Sequence, residues 1–319
     1  MNKEFPEAIE IQQLILNRPS IASVEVIQTI SFKGLDYPIH QFKVGNAPNS
    51  SPTLVLVGGV HGLEKIGTHV VISYLNFLFE QLKWNKDLQN FFDQFNLVAI
   101  PIVNPVGVAH NKRSNGNGID LMRNAPVDAT TKSLFLVGGH RISHLLPWYR
   151  GKKNTPMQLE SETLCKVIKE IISKTNKCLV IDFHSGFGLK DRLWYPYAKS
   201  SETFPAIEQV NKIQEVFDRT IPHHIYQIEP QSDQYTTHGD LWDYLFDWKE
   251  ENFKEHDFIP WTLEMGSWNW LKKNPIQIFS KLGFFNPIKN HRYDRTMRRH
   301  LLLIDFFSNI TKNWEVWKK

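Results

Sequence analysis

The sequence predicts an α/β protein, a single domain over residues 1–319 whose mixed, largely parallel β-sheet is flanked by helices on both faces. Three observations carry that expectation. Short uninterrupted apolar runs recur, as strands covered on both faces require. Segments of helical periodicity lie between them, the alternation that builds a parallel sheet. Each apolar run also delivers a polar residue at or just past its carboxyl end, where ligands bind in open α/β sheets.

In chain order, the strand at 53–57 (Thr-Leu-Val-Leu-Val) runs into Gly58-Gly59 and then His61 and Glu64. The strand at 97–103 ends at Asn104-Pro105, that at 178–183 at His184, and that at 260–264 in Glu264 itself, before Met265-Gly266. Helical patterns occupy 67–82, 161–173, 206–219 and 295–310. The second of these is preceded by Pro156 and carries Glu162 in its first turn, as a helix start favours. No internal repeat and no Gly/Ser/Pro linker divides the 319 residues, and the turn-rich stretch 46–52 is too short to do so.

Composition narrows the partners. Apolar residues make up 41% and charged residues 22%, ordinary values for a chain with a large core. The net charge of +4 and the absence of any basic run longer than Arg298-Arg299 argue against nucleic acid. No stretch of eighteen uncharged apolar residues predicts a membrane span. The opening Met1-Asn2-Lys3-Glu4-Phe5-Pro6-Glu7 lacks the apolar segment of an export signal, and Cys165 and Cys178 read as buried reduced thiols. The expected compartment is the cytoplasm; the oligomeric state is left open.

His61-Gly62-Leu63-Glu64 puts an imidazole and a carboxylate three residues apart beside flexible glycines, so one turn can aim both at a point. His184 would complete the three protein ligands of a catalytic zinc site, whose fourth position stays open to water. Alone, the pair reads more readily as a loop histidine beside a helix-start glutamate. The histidines at 69, 110, 140, 144, 223, 224, 238 and 256 lack such a setting and are expected to be surface or structural.

Further elements follow in order: Asn104-Pro105-Val106-Gly107, Arg113, Gly118-Ile119-Asp120-Leu121-Met122-Arg123-Asn124, Pro156 with Glu160-Ser161-Glu162, Asp182-Phe183-His184-Ser185, Tyr235 with Gly239 and Asp243, and Thr262-Leu263-Glu264. Together with His61 and Glu64 they resemble the zinc carboxypeptidase family of carboxypeptidase A type, over roughly two thirds of the chain. The resemblance implies one zinc ion per chain held by His61, Glu64 and His184. It implies that Glu264 is the general base, that Arg113 stabilises the oxyanion, and that Arg123 and Tyr235 bind the substrate. It also implies a hydrolase cutting a peptide or amide bond near a substrate carboxylate.

Met122 breaks the pattern, because the family has asparagine before the carboxylate-binding arginine and a thioether donates no hydrogen bond. A deacylase or amidase acting on a small N-acyl amino acid or cell-wall peptide is therefore the alternative, and a relict metal-binding protein the third reading. The irregular stretch 124–149 is expected to shape the substrate site. Asp182 is a weak candidate for orienting a ligand histidine, since strand neighbours point to opposite faces. Trp242 is expected either in the side-chain pocket or in the core.

Overall fold

The computed structural model describes residues 5–318. The chain begins with α1 (Pro6–Asn17), then β1 (Ala22–Phe32), β2 (Leu35–Val44) and β3 (Thr53–Gly58). There follow α2 (Lys65–Leu82), α3 (Lys86–Phe91), β4 (Asn96–Ile100), α4 (Pro105–His110), α5 (Leu159–Lys174), β5 (Lys177–Ser185) and β6 (Arg192–Tyr195). The remainder is α6 (Ile207–Thr220), β7 (Gln227–Pro230), α7 (Leu241–Asn252), β8 (Asp257–Met265), α8 (Trp268–Lys273), α9 (Asn290–Lys312) and α10 (Trp314–Trp317).

The eight strands form one sheet in the order β1-β2-β4-β3-β5-β8-β6-β7. The central strands β4, β3, β5 and β8 are mutually parallel, while β2 and β6 join them antiparallel. Every residue of β3 and β4 is buried. One helical group, α1, α2 and α9, packs on β3 and β5; a second, α5 and α7, packs against β1, β5 and β8. The four strands expected from apolar runs are thus the doubly covered centre. The expected strand at 97–103 is shorter, ending at Ile100, because the chain there folds back so that Val103 and Asn104 donate to the Gly58 and Gly59 carbonyls.

The edges were not foreseen. The β1–β2 hairpin turns on Lys33 (φ 53°) and Gly34 (φ 75°), the two positive φ angles of a tight turn that matches strand twist.

α1 is tied to the start of α2. Buried Glu7 meets Lys65 Nζ at 2.8 Å and His69 Nε2 at 3.6 Å. Burial alone would raise its carboxyl, but these donors outweigh it and lower it to about 2. A carboxylate depressed in the folded state stabilises fully above its unfolded value and loses that contribution as pH falls toward the folded one. Replacing Glu7 by Gln should therefore cost on the order of 2 kcal/mol near neutrality, with the difference shrinking between about pH 4.5 and 2. Urea unfolding of both proteins across that range checks this; stability curves that stay parallel would rule the ion pair out.

Candidate active site

Because β3, β5 and β8 run parallel and adjacent, their carboxyl ends open onto one edge of the sheet. Register pairs His184 of β5 with Glu264 of β8. The loop after β3 brings His61 and Glu64 to the same place. It is built at close range: a Cβ on Gly62 would sit 1.9 Å from the Gly107 carbonyl carbon, so only glycine lets the loop lie against α4. Asn104 does not enter the cleft. Its Oδ1 accepts from the Gly107 N–H at 2.8 Å and its Nδ2 donates to the Val60 carbonyl at 3.2 Å, fixing the strand of chain that leads to His61.

Glu64 is buried between both histidines. Its Oε1 lies 3.0 Å from His61 Nδ1, and its Oε2 lies 3.0 Å from His184 Nδ1 and accepts the Ser185 N–H at 2.9 Å. Burial would raise the carboxyl, but the two histidines hold it well below the usual range. The imidazoles face each other, Nδ1 to Nδ1, at 3.2 Å. Each turns its Nε2 to a carboxylate: His61 to Asp120 Oδ1 at 3.0 Å, and His184 to Asp182 Oδ2 at 2.8 Å. An Nε2–H donated to a carboxylate leaves a lone pair on Nδ1. With both imidazoles neutral, two nitrogen lone pairs and a carboxylate would converge on one point, an arrangement that a cation can satisfy. The same pull shows in His184, which Asp182 and Glu64 raise well above its ordinary value although burial lowers it. Among the described residues, His61, Glu64 and His184 are the group able to hold a metal, their ligand atoms within 4.8 Å of one another. Two imidazoles and a carboxylate are a donor set that zinc accepts.

Asp120 was not assigned a role from the sequence. Besides holding His61, it receives Arg113 Nε at 2.8 Å, and Arg113 Nη1 reaches Glu64 Oε1 at 3.0 Å. Burial opposes the Asp120 charge, yet Arg113 and His61 keep its carboxyl far below normal. Asp182 does orient His184, through the bond to its Nε2. Strand residues two apart share a face, so the rule about neighbours does not apply to positions 182 and 184. Trp242 is buried, and its Nε1 donates to Asp182 Oδ2 at 3.0 Å; it belongs to the core behind the ligand rather than to the pocket wall.

His61, Glu64, His184, Arg113, Arg123, Tyr235 and Glu264 all line one cavity of about 600 Å³. Glu264 Oε1 accepts the Phe187 N–H at 2.9 Å, and burial together with the Glu64 charge pushes its carboxyl up to about 8. Buried Arg123 ends a short 3-10 turn capped by Asp120, and its guanidinium meets the carbonyls of Met122 and Val137 rather than a carboxylate. Tyr235 packs its ring on Phe187 and Trp194, at centroid distances of 5.6 and 6.0 Å. Burial raises its hydroxyl, with the charge of Arg123 opposing. Met122 also faces the cavity, as do Leu134, Val137, Pro147 and Trp148 of the irregular stretch 124–149, which forms one wall as expected.

Comparisons with known proteins bear on the family and the fold. Residues 9–278 match the model of the zinc carboxypeptidase family. The chain belongs to that family. Carboxypeptidase N catalytic chain of Rattus norvegicus is 26% identical over 262 residues, covering 77% of this chain and 51% of that protein. Carboxypeptidase D of Anas platyrhynchos is 24% identical over 226 residues, 66% of this chain. This chain spans only 14% of that relative's length. Among solved structures, thrombin activatable fibrinolysis inhibitor superposes with a TM-score of 0.70 at 17% identity, covering 95% of this chain and 72% of that one. Carboxypeptidase A from Helicoverpa armigera gives 0.60 at 16% identity, covering 86% and 71%. These likenesses establish the fold.

Asp120 and Asp182, behind the two imidazoles, would set the affinity for a metal held by His61, Glu64 and His184. Asp182→Asn and Asp120→Asn should each weaken zinc binding by roughly 10- to 100-fold. Competition against a chromogenic chelator reads this directly, and unchanged affinity in both variants would mean that neither carboxylate orients its histidine.

Proposed function

We propose that this chain is a zinc-dependent hydrolase that cleaves a peptide or amide bond next to a substrate carboxylate. The observation that carries this reading is the pairing, within one cavity, of a converging His61–Glu64–His184 donor set with a buried guanidinium, Arg123, that forms no ion pair among the described residues. A buried guanidinium whose close partners include carbonyl oxygens and no carboxylate favours an anionic partner, and the planar fork of arginine suits a carboxylate.

His61, Glu64 and His184 would hold the ion. Bound there, zinc supplies Lewis acidity that lowers the pKa of water to about 7. The Glu264 carboxyl would be drawn down, and its ionised form favoured, by the positive charge of an ion held by His61, Glu64 and His184. Glu264, beside His184 in the register, then accepts a proton from water as the water oxygen bonds to the carbonyl carbon. Negative charge then gathers on the former carbonyl oxygen, and Arg113 lies in the cavity to stabilise it. As the carbon–nitrogen bond breaks, Glu264 returns its proton to the leaving nitrogen. Arg123 anchors the substrate carboxylate, and Tyr235 supplies a hydroxyl donor from the facing loop.

Met122 favours a second reading, an amidase or deacylase acting on a small N-acyl amino acid or cell-wall peptide. It presents an apolar thioether to the cavity beside Arg123, so the carboxylate anchor has one donor fewer.

Purified protein is expected to carry about one zinc per chain, lost in His61→Ala. Glu264→Gln should retain the zinc while turnover falls by roughly 10²–10⁴. A chain that binds no zinc, or a Glu264→Gln variant that stays active, contradicts the proposal. Peptides with free and amidated C-termini separate the two readings: equal rates on both would exclude a carboxylate-anchored exopeptidase.

A further inference from the structure

The carboxylate of Glu64 stands at the N-cap position of α2, yet it makes no capping bond. Both of its oxygens are engaged by His61, Arg113, His184 and the Ser185 N–H. A side chain at that position ordinarily accepts from the N–H of the second or third helical residue. Here the third, Gly67, bonds the Glu64 carbonyl, so the N–H of the second, Ile66, needs an acceptor from elsewhere. It finds one 220 residues away: Asn286 Oδ1 accepts the Ile66 N–H at 2.9 Å.

The same amide donates from Nδ2 to the Leu63 carbonyl at 2.8 Å, so Asn286 grips the backbone on both sides of Glu64. It is itself fixed, since Nδ2 also reaches the Leu282 carbonyl at 3.0 Å. Its neighbour holds the other ligand loop: the Phe285 carbonyl accepts Ser185 Oγ at 2.7 Å, one residue beyond His184. The Phe285 ring closes over Gly186, where a Cβ would come within 2.9 Å of it. The region that matches the family ends at residue 278, so Phe285 and Asn286 lie outside it, while the backbone they hold lies within.

We propose that Asn286 is a positioning residue for the metal group: it caps α2 in place of Glu64 and so frees the Glu64 carboxylate to ligate. This rests on reading His61, Glu64 and His184 as the metal site. Without Asn286, the Ile66 N–H competes for the Glu64 carboxylate, which is two residues away at the N-cap position. The consequence is a looser ligand geometry rather than a lost ligand.

The test uses the full chain with zinc alone, and with cobalt(II) as a probe of ligand geometry. Wild type is compared with Asn286→Ala, Asn286→Asp and a control in the same segment, Phe279→Ala, whose side chain is 90% exposed. Asn286→Ala should bind zinc roughly 10- to 100-fold more weakly and shift the visible cobalt absorption. The aspartate keeps the acceptor for Ile66 and should recover most of the affinity; the control should match wild type. Wild-type affinity and an unchanged cobalt spectrum in Asn286→Ala overturn the proposal, as does an aspartate variant no better than alanine. If wild type itself binds no zinc, the reading of the metal site fails. The cap is then judged on the metal-free protein: faster hydrogen exchange at Ile66 in Asn286→Ala upholds it, and unchanged exchange ends it.

Discussion

A fully desolvated carboxylate, Glu64, sits at the carboxyl edge of the sheet, and its cost governs what surrounds it. A charge removed from water is tolerated only when paired and hydrogen-bonded. Two imidazoles, one guanidinium and one backbone N–H meet that demand. Each of those partners has its own requirement. His61 and Arg113 are both answered by Asp120, and His184 by Asp182. The result is a chain of alternating charges in which no member can be removed without stranding another. Such a cluster is costly to assemble, and its retention points to a task that an apolar core could not perform.

The centre of the fold was legible because its strands are covered on both faces, which leaves a run of apolar residues that no loop or surface helix imitates. β1 and β2 were not: the pattern from Ala22 to Phe32 mixes buried and exposed residues throughout, and in β2 the polar Asp36, His40, Gln41 and Lys43 break the apolar run. β6 and β7 are four residues each, too short for periodicity to register. The site residues were legible through motif order, and the sheet then explains the order, since three parallel strands must end side by side. Two features escaped. Asp120 stood within a recognised motif, but only the fold shows that His61 and Arg113 both turn to it. Asn286 has no local signal at all, because its partners Leu63 and Ile66 lie at the other end of the chain.

The cavity is shaped by parts of the chain with little regular structure. Leu134, Val137, Pro147 and Trp148 form one wall, and Trp268 and Phe285 another. The first wall is anchored at its root: Arg150 donates to the carbonyls of Arg123 and Val127, so the guanidinium that faces the cavity and the loop beside it share one support. Apolar and aromatic walls around a few charged groups place the reacting centre in a medium of low polarity, where fixed charges act over short range with little screening.

The hydrogen bond from Trp242 to Asp182 has a consequence for how this protein can change. The indole lies behind the cavity, beside Asp240 and Thr262, which face it. It also supports the carboxylate that orients His184. A smaller side chain in place of Trp242 would open space behind Asp240 and Thr262 and in the same step remove the donor that holds the Asp182 carboxylate. Leu134, Pro147 and Trp148 on the irregular wall carry none of the bonds to Asp120 or Asp182 described above, so exchanging them reshapes the cavity and leaves the supports of His61 and His184 in place.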